Sequence, residues 1–376
     1  MDIGIVQPEL IYPRGAEKLV CELGYNLDKR GHKITIYTFE KKEDYAFDSL
    51  LENIDIISLN KKWIKGPFYS YNLPRWLYLI KKISKNLKNH DIINAHNHPA
   101  QWISKYTEIP TVWSCNEPYL YNLSKILGRA YYFHHKILHH KIDQYLSSNV
   151  SITLSISEKM RNDINLRYRD MQIKNIYIGA DIKRKINHIN NDFFDVIFVG
   201  PIIPLKRPMD ILNSLILIKN KIPNIRIHFV GKTMNIFSIK YKNEMIKKSQ
   251  QNGINVIFYD SITNKKLYEL LDIADISIFV PESEPFGIFP LETILGEIPT
   301  IISDQCGCKE ILSKDYPIIK TGDINGLAGQ ILDIFNNNKK YKGITNKNAK
   351  IISENYSWEN YSKRMETLFK KTLKDY

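Results

Sequence analysis

The segment Pro281-Glu-Ser-Glu-Pro-Phe-Gly-Ile-Phe-Pro-Leu-Glu292 follows the apolar run Ile276 to Val280 and precedes a helical pattern at Leu291 to Gly296. The apolar run is typical of a buried strand, so the segment predicts a strand end, a loop and a helix start. Gly287 lets the backbone of this loop pass close to a ligand. Because the free N–H groups and the dipole of a helix N-terminus favour an anion, we expect the loop to hold one.

Two carboxylates, Glu284 and Glu292, flank the same predicted helix start. Negative side chains beside an anion site are unfavourable unless they accept hydrogen bonds from hydroxyl groups. A nucleotide sugar carries one set of hydroxyls on its hexose and another on its ribose, on either side of a diphosphate. The spacing of the two acids therefore predicts a site for a nucleotide-sugar donor.

Short β-rich runs alternate with helical patterns in both halves of the chain, which predicts an α/β protein with parallel sheets. One of the helices is predicted from Gly15 to Arg30, ending at Gly31. The predicted strands are Ile3 to Val6, Lys33 to Thr38, Ile54 to Ser58, Asp91 to Ala95, Thr111 to Ser114, Ser151 to Ser155, Asp195 to Val199, Ile225 to Val230, Asn255 to Phe258, Ile276 to Val280 and Thr300 to Ile302.

The length of 376 residues fits two domains, each large enough to bury a core. The basic, asparagine-rich stretch Asp181 to Asp192 is predicted to link them. We therefore expect an N-terminal domain at 1–181, a C-terminal domain at 182–356, and a helix at 357–376.

Three short motifs and one spacing occur in a fixed order in and after the opening segment. Glu284-Pro-Phe-Gly287 comes first, seven residues separate Glu284 from Glu292, and Gly296-Glu-Ile-Pro299 and Gly307-Cys-Lys-Glu310 follow. Together they resemble the donor signature of glycosyltransferase family 4, whose members are retaining enzymes. The resemblance implies the GT-B architecture: two Rossmann-like doubly wound domains that face a cleft, with a C-terminal helix that crosses back to the N-terminal domain.

The same resemblance assigns roles to residues of the donor domain. It implies that Glu284 contacts the hydroxyls of the donor sugar and that Glu292 binds the ribose hydroxyls. The backbone of Gly287, Ile288 and Phe289 is implied to hold the sugar and its phosphate. Glu310 is a secondary candidate, with a local helix-start role as its alternative.

A second group of candidates follows the first strand of the donor domain, in Gly200-Pro-Ile-Ile-Pro-Leu-Lys206-Arg207. The family resemblance places an arginine directly after the glycine and a lysine five residues later, both on the diphosphate. Lys206 matches the lysine, whereas Pro201 replaces the arginine, so Arg207 and Arg14 are candidates for the missing charge. Gly231 resembles the family's glycine turn near the nucleotide.

The N-terminal domain contributes candidates at the ends of its strands, where ligands bind in open α/β folds. The resemblance selects His96, implied to lie near the donor's primary hydroxyl, while His98 is interpreted as structural. Asn116 stands where the family has a histidine, and it is a candidate to line the acceptor side of the cleft. Gly15 and Glu17 match the family's glycine-rich entry to the first helix.

The net charge of +13 predicts an anionic partner, although a compositional bias of the genome explains it equally well. Basic and aromatic residues are interspersed at 61–65, 75–88 and 131–141. They favour either an anionic membrane surface or an ordinary solvated face, and no nucleic-acid-binding module accompanies them.

The four cysteines are predicted to be reduced, buried thiols, and no metal site or cofactor is expected. The start of the chain predicts a strand rather than a signal peptide. We therefore expect a cytoplasmic protein, with peripheral binding to the inner face of the membrane as a further possibility.

The function implied by the resemblance is metal-independent, retaining transfer of a hexosyl group from a nucleoside-diphosphate sugar to an acceptor hydroxyl. A glycan or glycolipid, including a lipid-linked one, is the expected acceptor, and His96, Lys206 and Glu284 are the expected catalytic residues. One alternative is a nucleotide-sugar 2-epimerase with the same architecture. Another is a non-catalytic nucleotide-sugar-binding subunit, which Pro201 and Arg14 favour.

Overall fold

The computed structural model describes residues 1–12, 14–61, 69–118, 139–233 and 235–376, with only the backbone given for 69–72. These residues form two compact units. The first comprises Met1–Gly179 and Trp358–Tyr376, and the second comprises Ala180–Ser357. The expected domain limits differ from these divisions by two residues at the first boundary and by one at the second.

The first unit is built on a parallel sheet that contains seven strands within the described ranges, in the order β5-β3-β1-β6-β7-β8-β9. Its core contains the fully buried side chains of Trp76, Trp102 and Trp113. A separate parallel pair joins β2 and β4. The elements are β1 Asp2–Val6, β2 Glu9–Leu10, α1 Gly15–Lys29, β3 Lys33–Thr38, β4 Glu40–Lys41, β5 Asp55–Ser58, α2 Tyr69–Ser84, β6 Ile92–His96, β7 Thr111–Cys115, β8 Ile152–Ser155, α3 Glu158–Arg167 and β9 Ile173–Asn175.

The second unit has a parallel sheet of six described strands, in the order β12-β11-β10-β13-β14-β15. Buried runs of β-branched and aromatic residues form its central strands, as expected where helices cover both faces of a sheet. The elements are β10 Phe194–Val199, α4 Pro208–Ile218, β11 Ile225–Val230, α5 Ile236–Asn252, β12 Asn255–Tyr259, α6 Asn264–Ile273, β13 Ile276–Phe279, α7 Ile288–Leu295, β14 Thr300–Ser303, β15 Ile318–Ile319, α8 Ile324–Asn336 and α9 Asn338–Asn355.

The final helix, α10, spans Trp358–Asp375 and belongs to the first unit, as expected. Its buried face includes Trp358, Tyr361 and Met365. Glu366 of α10 accepts a hydrogen bond of 2.6 Å from Nε of Arg30, which caps the C-terminus of α1. The sequence pattern predicted the helix, and the family resemblance implied the unit on which it packs.

The stretch predicted as a linker, Asp181 to Asp192, is instead anchored to the second unit. Arg184 donates two hydrogen bonds to the carboxylate of Asp272 in α6, at 2.9 and 2.6 Å. The backbone N–H of Asn187 donates to the same carboxylate, and Ile186 is 2% exposed. The polar composition of this stretch reflects its contacts with α6, which composition alone did not reveal.

The basic helix predicted at 75–88 corresponds to the described part of α2 and the turn after it. Its apolar side, at Trp76, Leu79 and Ile83, is buried in the core of the first unit. That side is therefore unavailable to a membrane, although Lys81 and Lys85 remain exposed. Residues 62–65 and 131–138, in the other basic stretches, lie outside the described residues. Within the described ranges, every helix is too short or too polar to serve as a membrane span.

Gly231 follows β11 where its loop crosses the loop after β10. A Cβ atom at Gly231 would lie 1.8 Å from the carbonyl oxygen of Gly200, a separation that backbone atoms do not tolerate. The N–H of Gly200 donates to Val230 O at 2.9 Å, which holds the two loops together.

We therefore expect Gly231→Ala to lower the free energy of unfolding by roughly 1–3 kcal/mol, the usual cost of overpacking. Urea denaturation measures this loss. Gly343→Ala is the matched control, because a Cβ at that helical position meets nothing within 4 Å. Equal stability of the two variants would contradict the close crossing of the two loops.

Candidate active site

Three loops meet at the carboxyl edge of the second sheet, the edge at which open α/β sheets bind ligands. They follow the adjacent strands β11, β10 and β13. The loop after β10 ends in a short 3-10 turn, Pro204–Lys206, and the loop after β13 carries Glu284 to the start of α7. The N–H of Glu282 donates to Leu205 O at 2.9 Å and ties these two loops together.

Lys206 and Glu284, which are 78 residues apart in the chain, form an ion pair at this edge. The distance from Lys206 Nζ to Glu284 Oε2 is 2.5 Å, and the side chains are 17% and 18% exposed. Lys206 Nζ also lies 5.7 Å from the ring centroid of Phe279, at the end of β13. The structure therefore places a shielded but accessible cation beside a carboxylate.

The loop that carries Glu284 is braced by the backbone of residues 305–308. The N–H of Glu284 donates to Gln305 O, and the N–H of Gly307 donates to Glu284 O, both at 3.2 Å. The N–H of Cys308 donates to Phe286 O at 2.7 Å. Through these bonds, the backbone at the start of the Gly307–Glu310 motif fixes the position of the Glu284 loop.

Gly287 caps the N-terminus of α7 with a φ of +99°, a conformation that side chains with a Cβ rarely adopt. Helix α7 begins at Ile288, three residues earlier than the sequence pattern predicted. Pro290 is compatible with this start because a first-turn N–H has no acceptor within the helix. The N–H groups of Ile288 and Phe289 therefore stand at a helix N-terminus, as their predicted role requires.

We expect Gly287→Ala to impose backbone strain of roughly 1–2 kcal/mol at the start of α7. A Cβ there would only touch Cys308 Sγ at 3.4 Å and Glu284 Cγ at 3.5 Å, so the backbone strain, and not a clash, displaces the amides of Ile288 and Phe289. Calorimetric titration should show weaker binding of a nucleoside diphosphate. Gly253→Ala is a control with similar backbone strain, because Gly253 has a φ of +66°. Gly253 caps the C-terminus of α5, where no anion site is predicted. Equal weakening in both variants would contradict a local role for Gly287.

Glu292 and Glu310 are half-buried on elements of the same unit. Glu292 lies in the second turn of α7, and Glu310 lies in the 3-10 turn Gly307–Ile311. Gly231 lies at the loop crossing described above. That crossing alone explains why the position requires glycine, so the glycine is not evidence for a ligand.

Arg207 pairs with a residue of its own helix start. Its Nε donates to Asp210 Oδ2 at 2.6 Å within the first turn of α4, and its backbone is left-handed, with a φ of +53°. Pro201 offers no charge at the preceding turn. Of the two cations predicted in this loop, Lys206 pairs with Glu284, whereas Arg207 pairs with Asp210.

The remaining candidates lie in the first unit. Gly15 begins α1, and Glu17 is buried in the first turn of that helix. The guanidinium of Arg14 lies 4.5 Å from the ring centroid of Tyr12 and 3.8 Å from Glu9. Asn116 is buried after β7 and donates to Asn97 Oδ1 at 3.0 Å.

His96 ends β6 and is fully buried. Its Nε2 lies 2.6 Å from Asn94 Oδ1, and its Nδ1 has no hydrogen-bond partner among the described residues. Burial lowers the pKa of His96 to about 3, so the ring is neutral. The sequence motifs did not select Asn94. The sequence nevertheless carried a signal for it, since Asn94 is a polar residue two positions before His96 in an apolar strand. Alternate residues of a strand share a face, so the two side chains are expected to be neighbours.

His98 belongs to a separate buried cluster around Asp143. The carboxylate of Asp143 accepts hydrogen bonds from Gln101 at 2.9 Å and from Trp102 at 2.6 Å. Burial would raise the pKa of Asp143, but hydrogen bonds from His98, Tyr168 and Trp102 and the nearby His98 charge hold it below its usual value. These contacts agree with the structural interpretation of His98.

Comparisons with known proteins show the family and the fold of the chain. Residues 180–351 match the family described as "Glycosyl transferases group 1", and residues 13–184 match "Glycosyltransferase Family 4". An uncharacterized glycosyltransferase of Methanocaldococcus jannaschii, MJ1607, is 22% identical over 93% of this chain and 92% of its own. The putative glycosyltransferase EpsD of Bacillus subtilis is 22% identical over 56% of this chain, and the match spans 61% of its length.

The crystal structure of Anabaena Alr3699/HepE in complex with UDP and glucose has the same fold. It superimposes with a TM-score of 0.74 at 17% identity, covering 99% of this chain and 100% of that one. The two family matches overlap at residues 180–184 and together cover residues 13–351, which include parts of both units. The chain therefore belongs to glycosyltransferase family 4, within the group 1 glycosyl transferases, and has the GT-B fold.

Proposed function

We propose that the protein is a metal-independent, retaining hexosyltransferase that takes a hexosyl group from a nucleoside-diphosphate sugar and passes it to an acceptor hydroxyl. The observation that carries this proposal is the Lys206–Glu284 pair, with its 2.5 Å contact, beside the N-terminus of α7. A cation and a helix N-terminus suit a diphosphate, and a carboxylate between them suits sugar hydroxyls.

Lys206 and the amides of Ile288 and Phe289 are the groups proposed to stabilise the leaving diphosphate. As the bond between the anomeric carbon and the phosphate oxygen breaks, negative charge grows on that oxygen, and preorganised donors lower its energy. The acceptor oxygen bonds to the anomeric carbon from the face that the diphosphate leaves, and its proton passes to the departing phosphate oxygen. Positive charge from the chain takes the place of a metal in this scheme.

UDP is the first nucleotide to test, because the similar Anabaena protein was solved with UDP and with UDP-glucose. Glu284 is proposed to orient the hexose of the donor. Glu292, a half-buried acid on α7, is proposed to bind the ribose. His96 offers its unpartnered Nδ1 to a hydroxyl group near the reacting carbon.

The acceptor is proposed to be a glycan or glycolipid hydroxyl, with a lipid-linked glycan as the case to examine first. The support is the net charge of +13 and the exposed lysines near α2, which favour an anionic membrane surface on the cytoplasmic side. Since the apolar side of α2 is buried, the attraction in this proposal is electrostatic and should weaken with added salt.

Product stereochemistry and chelation test the reaction type. The purified protein is incubated with UDP-glucose and a panel of glycan and glycolipid acceptors, and the anomeric proton of the product is examined by NMR. The proposal expects the configuration of the donor and an unchanged rate in EDTA. An inverted product would contradict retention, and a rate lost in EDTA and restored by Mn²⁺ would contradict metal independence.

Pro201 and the Arg207–Asp210 contact favour a second candidate, a subunit that binds a nucleotide sugar without transferring it. In that case the diphosphate lacks one of the cations found at this turn in the family. Tight binding of a nucleotide sugar without release of the diphosphate, for every acceptor tested, would favour this second function over the first.

A further inference from the structure

We propose that Asn94 is a positioning residue that holds His96 as the tautomer protonated on Nε2, so that Nδ1 faces the substrate as a hydrogen-bond acceptor. The part that concerns substrate rests on the proposed function. The part that concerns the tautomer follows from the hydrogen bonds of the first unit.

The orientation of the Asn94 amide is fixed by a backbone carbonyl. One end of the amide lies 3.0 Å from Val112 O, in the neighbouring strand β7. A carbonyl oxygen only accepts hydrogen bonds, so that end must be the NH₂ group. The same NH₂ group donates to Ser114 Oγ at 3.0 Å, which uses its second hydrogen.

The carbonyl end of Asn94 then determines the protonation of His96. Asn94 Oδ1 lies 2.6 Å from His96 Nε2, and an amide oxygen only accepts. Nε2 must therefore carry a hydrogen. Because burial keeps the ring neutral, Nδ1 carries a lone pair in place of a second hydrogen.

Helix α10 reaches the same network from the C-terminal part of the chain. Burial raises the pKa of the Tyr361 phenol, and both Arg364 and a hydrogen bond with Ser114 oppose that rise. The hydrogen-bonded path itself runs from Ser114 through Asn94 to His96. Buried polar groups that are satisfied in this way restrict a side chain to one arrangement.

The tautomer determines which substrate groups can bind to His96 Nδ1. His96 Nδ1 is buried and has no hydrogen-bond partner among the described residues, so it pairs favourably only with a group that donates. A hydroxyl donates, whereas a phosphate or carboxylate oxygen does not at neutral pH. Asn94 thus directs His96 toward a sugar hydroxyl and away from the diphosphate.

Nitrogen-15 NMR of the full chain labelled in its histidines tests the tautomer without any substrate. The signals of His96 are assigned by their loss in His96→Gln. The proposal expects a protonated, pyrrole-type Nε2 and a pyridine-type Nδ1 in the wild type. In Asn94→Leu, which removes the acceptor, the Nδ1–H tautomer should appear.

Ser114→Ala is the matched control, because the Asn94 NH₂ group keeps its bond to Val112 O and the wild-type tautomer should persist. A wild-type spectrum with Nδ1 protonated would overturn the proposal. So would an Asn94→Leu protein that is folded by circular dichroism and shows an unchanged His96 tautomer.

Transfer kinetics test the substrate part. Asn94→Leu should lower kcat by about 10- to 100-fold, the range seen when the outer partner of a functional histidine is removed. Ser114→Ala should retain most of the rate. Wild-type kcat in Asn94→Leu would overturn the positioning role, whereas absence of transfer by the wild-type protein would overturn the proposed function and leave the NMR result to decide the tautomer.

Discussion

Lys206→Ala should lower the rate of hexosyl transfer by about 100- to 1000-fold, the usual effect of removing one preorganised donor from a site of developing charge. Lys206 Nζ lies 2.5 Å from Glu284, at the edge of the sheet where the predicted anion site begins. Arg207 cannot replace it without giving up its contact with Asp210. Steady-state kinetics with saturating donor measure the effect.

Lys347→Ala is the matched control for Lys206→Ala. Lys347 also forms an ion pair, at 3.0 Å from Asp315, but both side chains are about half exposed. Loss of such a surface pair costs little. Near wild-type turnover in Lys206→Ala, with the fold intact, would remove Lys206 from the mechanism.

Asp195→Ala should lower the free energy of unfolding by roughly 1–3 kcal/mol, because it leaves the partly buried Arg226 and the buried His228 without the acceptor that they share. Asp195 is fully buried in β10 and binds Arg226 of β11 through two hydrogen bonds, at 2.6 and 2.8 Å. His228 Nε2 lies 2.8 Å from the same carboxylate. Asp195 lies near the amino end of its strand, so the loss concerns folding rather than chemistry at the opposite edge.

The lowered pKa of Asp195 predicts that the free energy of unfolding falls in acid. Burial would raise the pKa of Asp195, but hydrogen bonds from His228, Arg226 and Asn191 outweigh burial and lower it to about 2. An unfolded aspartate titrates near pH 3.9. The stabilisation is therefore fully present above about pH 4 and is lost as the pH falls through about 2.

Urea denaturation of the wild type, Asp195→Ala and Asp195→Asn checks both predictions, with the wild type and Asp195→Asn measured at several pH values. The difference in unfolding free energy should shrink as the pH falls from about 4 to 2. Asp260→Asn is the control, because Asp260 also pairs with a cation, Lys242, but its side chain is 61% exposed. A constant difference across that range would show that Asp195 does not contribute as a carboxylate.

Much of the fold could be predicted because apolar runs of buried strands are a local signal. Every predicted strand is present, with ends shifted by no more than a residue or two. Sequence patterns missed β2, β4, β9 and β15, which are two or three residues long and depend on pairing rather than on a local pattern. The early start of α7 was missed because it depends on the backbone angle of Gly287.

The candidate site was predicted only in part, because motifs identify residues and not the contacts between them. The sequence selected Lys206 and Glu284 separately, but their ion pair depends on the adjacency of β10 and β13. The sequence selected Arg207 as a candidate without its contact with Asp210, which depends on side-chain rotamers. The bond between Asn94 and His96 depends on rotamers that strand alternation does not specify.

The most direct test of a nucleotide-sugar site in the second unit is calorimetric titration of UDP and UDP-glucose into the wild type, Glu284→Ala and Glu292→Ala. We predict that Glu292→Ala weakens both ligands by about 10- to 100-fold, the cost of hydrogen bonds to a charged group. Glu284→Ala should weaken UDP-glucose to the affinity of UDP and leave UDP bound at least as well, because Lys206 is released. Wild-type affinity for UDP-glucose in both variants would contradict the site.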